Sequence, residues 1–122
     1  MMQFVSVCAG ACLGAAARHA LNLYFKSAMF PVATTLVNVG GCFLIGLFWA
    51  VLSQVSAGEH LKLFLMTGFL GALTTFSAYG LDLYKLLDQN DIKLAFIYFI
   101  LANGVGLVGL YLGLGLGKII KF

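Results

Sequence analysis

Asn38 is a side-chain amide in the middle of a stretch, positions 27–58, that holds no Asp, Glu, Lys or Arg. Thr34 lies four residues before it and so on the same face of a helix. Further along, Thr67, Thr74, Thr75, Ser77 and Tyr79 fall in or beside the charge-free run 63–81, and Tyr98 and Asn103 stand among aliphatics in the run 94–117. Burying an amide or hydroxyl without a partner costs about 2–7 kcal/mol, so these groups must face protein or water. A lone Thr or Ser can bond to its own helix carbonyl, and Asn38 can act as a clasp between helices. As a set, however, they are uncharged hydrogen-bond donors joined by one cation, Arg18. No acidic residue sits in mid-helix: Glu59 falls in a loop, Asp82 near the end of the third helix, and Asp88 and Asp91 after it. Proton and cation pathways normally carry an acidic group at depth, so donors without carboxylates favour an anion. Phe76 and Tyr79 are three apart on one face, and their electropositive ring edges could flank a desolvated anion, although aromatic pairs at that spacing are mostly packing.

The segment from Gly71 through Thr74 and Thr75 is poor helix sequence for mid-membrane, which predicts a break there. Irregular backbone at that depth must line a cavity or be buried by protein, and its freed carbonyls suit a hard monovalent cation such as sodium. Other chemistries find little support. Cys8 and Cys12 share a face, yet Cys42 and the two histidines show no zinc spacing, so cysteine reads as a small apolar residue. There is no phosphate-binding glycine loop and no nucleophile–base set, hence no enzyme, and a net charge of +3 is too small and scattered for a nucleic-acid surface.

The elements that position these groups follow from composition. The chain has 122 residues, 62% hydrophobic and only 9% charged, with a mean hydropathy of +1.05. Soluble domains carry about 25% charged residues, and disorder needs low hydrophobicity, so both are excluded. Three cysteines make an odd count and no disulfide framework. What remains is an all-α integral membrane protein. The charge-free runs 1–17, 27–58, 63–81 and 94–117 can each cross a hydrocarbon core of about 30 Å, which needs about 20 helical residues. The expectation is a single domain over 1–122 with four transmembrane helices at about 3–24, 32–53, 62–85 and 94–117, the third broken. The first is read as permanent rather than as a signal peptide, because Met1, Met2 and Gln3 supply no basic stretch. Pro31 sits where the second helix should start.

Lys62, Lys118 and Lys121 fall on the side of the termini, and Arg18, Lys26, Lys85 and Lys93 on the other. So even a distribution gives no clear orientation and permits insertion both ways up, as an antiparallel dimer. Small residues spaced by four, Gly10 with Gly14 and Gly109 with Gly113 and Gly117, predict close helix packing.

These segments together resemble the Fluc (CrcB) family of fluoride channels. The resemblance runs through Gly10-Ala11-Cys12-Leu13-Gly14-Ala15-Ala16-Ala17-Arg18-His19, then Thr34-Thr35-Leu36-Val37-Asn38-Val39-Gly40-Gly41-Cys42-Phe43, then Gly68-Phe69-Leu70-Gly71 and Thr74-Thr75-Phe76-Ser77. It implies an antiparallel, dual-topology homodimer in a prokaryotic inner or plasma membrane, with two pores that pass fluoride passively out of the cell and confer fluoride resistance. It also implies one structural sodium ion held by the backbone carbonyls of Gly71 and Thr74 from each copy. By the same resemblance Asn38, Thr34, Phe76, Tyr79, Thr75, Ser77 and Tyr98 line the pore, and Arg18 stands near its entrance. Tyr79 departs from the family's usual phenylalanine; its extra hydroxyl either donates to the anion or obstructs it. The competing expectations are one half of a heterodimeric fluoride channel, a non-transporting assembly subunit, or a small dual-topology drug/proton antiporter. The last needs a carboxylate buried in the first helix, which has none.

Overall fold

A computed structural model describes residues 1–26, 29–55 and 57–120. Lys121, one of the cations in the charge count, lies outside them. Helix α1 spans Met2–Tyr24 and α2 spans Val32–Gln54. The third crossing covers Glu59–Asp88 and the fourth, α5, covers Ile92–Ile119. All four are long and apolar enough to traverse a bilayer. The third is broken, as its sequence predicts, into α3 (residues 59–73) and α4 (Phe76–Asp88). There is no strand among the described residues.

The third and fourth crossings each run past the 62–85 and 94–117 expected of them. A charge-free run marks only the stretch that can lie in hydrocarbon, whereas a helix continues while its hydrogen-bond ladder does. The extra turns carry Glu59, His60, Asp88 and Lys118, all exposed, as polar groups at the ends of a membrane-spanning helix should be. Asn90 ends the third crossing in the left-handed region at φ 57°, its N–H donating to Leu87 and the N–H of Asp91 to Leu86.

Two pairs of helices make the scaffold. On α1, a Cβ added at Gly10 or Gly14 would collide with the carbonyl oxygens of Phe64 and Phe69 on α3. On the second seam, a Cβ at Gly46 would strike Leu110 and one at Gly113 would strike Phe43, so α2 and α5 also touch backbone to backbone. Lipid provides no hydrophobic drive for association, and such close approach is how helices gain dispersion energy there. Between the seams lie two apolar clusters. Val37, Leu70 and Leu73 pack with Ala17, Leu21 and Phe48, while Tyr79, Leu86, Ala95 and Tyr98 pack with Phe30. Both α3, over Leu63–Leu70, and α5, over Leu101–Val105, widen into π-helical turns. Large apolar side chains such as Phe4, Trp49, Phe96 and Tyr111 point outward, as a lipid-facing surface requires.

Candidate functional site

The break in the third crossing falls at Thr74 (φ −80°, ψ 154°) and Thr75 (φ −155°, ψ 114°), both extended. Gly71 itself keeps helical angles, φ −61° and ψ −35°. The partner that makes the break is on another helix. Thr75 donates its N–H to Asn38 Oδ1 at 2.8 Å, and Asn38 Nδ2 donates to the Thr75 carbonyl at 3.1 Å. The amide thus pairs with the Thr75 peptide as a neighbouring strand would, and one Nδ2 hydrogen remains beyond that pair. Thr75 Oγ1 then accepts the Ala78 N–H at 3.2 Å and caps α4. Gly41 on α2 leaves room for the Thr74 methyl, while the Thr74 hydroxyl donates to Leu70 at 2.9 Å.

These bonds have a consequence for two carbonyls. In an unbroken helix the Thr75 N–H would donate to Gly71 and the Ala78 N–H to Thr74. Both donors are diverted, one to Asn38 and the other to the Thr75 hydroxyl. Gly71 and Thr74 are thereby left with carbonyl oxygens stripped of their helical donors, at a segment where Gly71 is exposed on the single chain.

Beside the break is a cleft of about 480 Å³, lined in part by Asn38, Gly71, Thr75, Phe76, Tyr79 and Asn103. Its polar groups are amides, hydroxyls and backbone; none of its lining residues is charged. Phe76 is 82% exposed and its ring leans at 41° on that of Tyr79, 5.6 Å between centroids. Tyr79 is buried, stacks on Tyr98 at 5.1 Å and accepts a hydrogen bond from Asn103 Nδ2 at 2.9 Å. Tyr98 in turn meets the edge of Phe30 at 5.6 Å. The result is a row of four rings, from exposed Phe76 through buried Tyr79 and Tyr98 to half-buried Phe30 at the edge of a second cavity. Tyr98 is fully enclosed, and its hydroxyl meets no hydrogen-bond partner of good geometry among the described residues.

A second, more polar cavity of about 290 Å³ lies where α1, α2 and α4 meet, lined by Asn22, Lys26, Thr34, Asp82, Lys85 and Gln89 among others. Here Thr34 donates its hydroxyl to Asp82 at 2.7 Å, and Lys85 stands 3.9 Å from the same carboxylate. A third cavity of about 280 Å³, with Glu59 and Lys62, lies at the opposite end and shares Met66 with the first.

The structure therefore brings Asn38, Gly71, Thr74, Thr75, Phe76 and Tyr79 to one cleft and sets Thr34 one turn away on the second cavity. Ser77 is outside both, its hydroxyl 3.3 Å from that of Thr75. Tyr98 lies behind Tyr79, and Arg18, half-buried on α1, lines none of the three cavities; Lys26 and Lys85 are the cations that do line the second. Sequence reasoning missed the roles of Asp82 and Asn103. Asp82 was legible as an acid three residues after Tyr79 and three before Lys85, both on its own helical face.

A protein-family model described as CrcB-like protein, Camphor Resistance (CrcB), matches residues 5–114. A protein of Nitrobacter hamburgensis named Fluoride-specific ion channel FluC 2 is 41% identical over 94% of this chain and 96% of its own length. One of Flavobacterium psychrophilum named Fluoride-specific ion channel FluC is 38% identical over 97% and 98%. One of Ignicoccus hospitalis with the same name is 40% identical over 93% of each.

Proposed function

The chain belongs to the CrcB family of fluoride-specific ion channels, which are multi-pass membrane proteins and not enzymes, and from that premise we propose that two antiparallel copies form a passive fluoride export channel with two pores and a structural sodium ion. The observation that carries this reading is the cleft at the helix break: an uncharged donor set whose remaining lining side chains are apolar. Lys26 and Lys85 in the second cavity would raise the local anion concentration, with Asp82 offset by Lys85 and by the Thr34 hydroxyl. Thr34 spends its proton on Asp82, so the donors left for a dehydrating anion are the remaining Asn38 N–H and the groups around Tyr79. Fluoride is the smallest halide and the strongest acceptor, and a donor held rigidly, as Asn38 is by the Thr75 peptide, favours it over the larger chloride. Phe76, largely exposed on one chain, supplies its ring edge once a second copy covers that face.

Sodium fits the chemistry of the break. Gly71 and Thr74 carbonyls freed of helical donors are neutral hard oxygens, and two copies would supply four of them. The ion would contribute positive charge that ties the two breaks together. Neither residue's side chain is a ligand in this scheme, so substitutions there act through backbone conformation.

The test is flux from liposomes containing purified protein. In sodium medium fluoride should leave rapidly and chloride should not. Protein purified and assayed with choline in place of sodium should release fluoride more slowly. Equal chloride release would sink the channel reading, and indifference to sodium would sink the metal assignment. Orientation is checked separately with Gln89→Cys, in the turn after α4, in a chain whose own Cys8, Cys12 and Cys42 are replaced by alanine. An impermeant maleimide applied to intact cells should label about half the molecules if the chain inserts both ways with equal frequency. Labelling of all or none would exclude dual topology.

A further inference from the structure

The hydrogen-bond polarity around Tyr79 is fixed by chemistry, and it decides what the hydroxyl can do. Asn103 Nδ2 makes two bonds, to Tyr79 Oη at 2.9 Å and to the Phe99 carbonyl at 2.8 Å. A carbonyl only accepts, so the nitrogen of the Asn103 amide must be the atom that faces Phe99; the flipped amide would set two oxygens against each other. Tyr79 Oη is then an acceptor toward Asn103. Its own proton is not used in that bond, and no protein group accepts it among the described residues. The ring is buried, yet Tyr79 and Asn103 both border the uncharged cleft at the helix break. The widened turn at Leu101–Val105 contains Asn103, and so belongs to the backbone that presents its amide to α4.

Resting on the channel reading above, we propose that Tyr79 contributes a hydroxyl proton to the permeating anion, and that Asn103 is the positioning residue that turns this proton into the cleft. A donor that is itself accepting a hydrogen bond is polarised and donates more strongly. The Asn103–Tyr79 pair is therefore a two-step relay of donors ending on the ion, and it tightens fluoride binding in addition to whatever the ring edge supplies. An extra donor deepens the binding well, so its signature is in the concentration at which flux saturates and not in a loss of the maximal rate.

The experiment measures fluoride flux against fluoride concentration in liposomes for wild type, Tyr79→Phe, Asn103→Leu and the double variant, each eluting at the wild-type size. Half-saturation should rise about tenfold in Tyr79→Phe, the loss of one hydrogen bond to a charged acceptor. Asn103→Leu should raise it by a similar factor, the double variant should add nothing further, and the limiting flux should not fall. Unchanged half-saturation in Tyr79→Phe, or effects that multiply in the double variant, would overturn the relay. A wild type that passes no fluoride would overturn the channel reading itself, and the relay with it. A second readout covers poor folding of the Asn103 variant. The Raman difference between wild type and Tyr79→Phe isolates one tyrosine, whose ring doublet reports whether its hydroxyl donates. Fluoride should shift that doublet toward the donating pattern; a fluoride-independent doublet would count against the relay.

Discussion

Asn38→Asp should reduce fluoride release from liposomes to the background of protein-free vesicles while leaving the protein soluble in detergent at its normal size. Two effects act together. A carboxylate can still accept the Thr75 N–H, but its second oxygen faces the Thr75 carbonyl 3.1 Å away and has no hydrogen to give it. The peptide that defines the break is then held on one edge only. In addition, a fixed negative charge would border the cleft. At about 5 Å and an effective dielectric of about 20 it repels an anion by about 3 kcal/mol, which is roughly a few hundredfold in occupancy. Wild-type flux in this variant would mean that ions do not pass beside Asn38 at all.

The second large effect belongs to the scaffold. Gly113→Leu should leave no correctly folded protein in size-exclusion chromatography, whereas Gly115→Leu, two residues on, should behave as wild type. A Cβ at Gly113 would lie on the Phe43 carbonyl and 2.9 Å from the Leu47 amide nitrogen, and backbone cannot yield as a side chain can. At Gly115 nothing stands within 4 Å. Overpacking against flexible neighbours costs about 1–3 kcal/mol, and a collision with main chain exceeds that. Equal yields of the two variants would show that α2 and α5 do not pack through this seam.

Much of this architecture is visible in the chain before any coordinates. Four long apolar runs, two rows of small residues and a poor helix sequence after Gly71 express one-dimensional constraints: span length, close approach and backbone propensity. What eludes such reading is set by pairs distant in sequence. The break sits at Thr74 and Thr75 and leaves Gly71 helical, because an amide 37 residues earlier supplies the bonding edge. The sequence marks the whole segment from Gly71 through Thr75 as weak; within it the folded chain breaks at the peptide that Asn38 can reach. Asp82 was set aside because it lies near a helix end, yet it receives the Thr34 proton across 48 positions. Tyr79 is a comparable case. Its hydroxyl leaves obstruction and donation equally open until Asn103 is known to be bonded to it. Arg18 shows the reverse: its type suited a pathway entrance, and it borders none of the cavities found among the described residues.

The two glycine seams carry one more implication. They weld α1 to α3 and α2 to α5 through main chain, and none of Gly10, Gly14, Gly46 and Gly113 borders the central cleft. Little side-chain freedom is surrendered in such joints, since glycine has none to lose. The wall of the passage is therefore spared most of the labour of holding the bundle together. Apart from Asn38, which holds the break, its rings and polar groups stand on a fixed chassis, and a tyrosine with its asparagine could be fitted there without disturbing either weld.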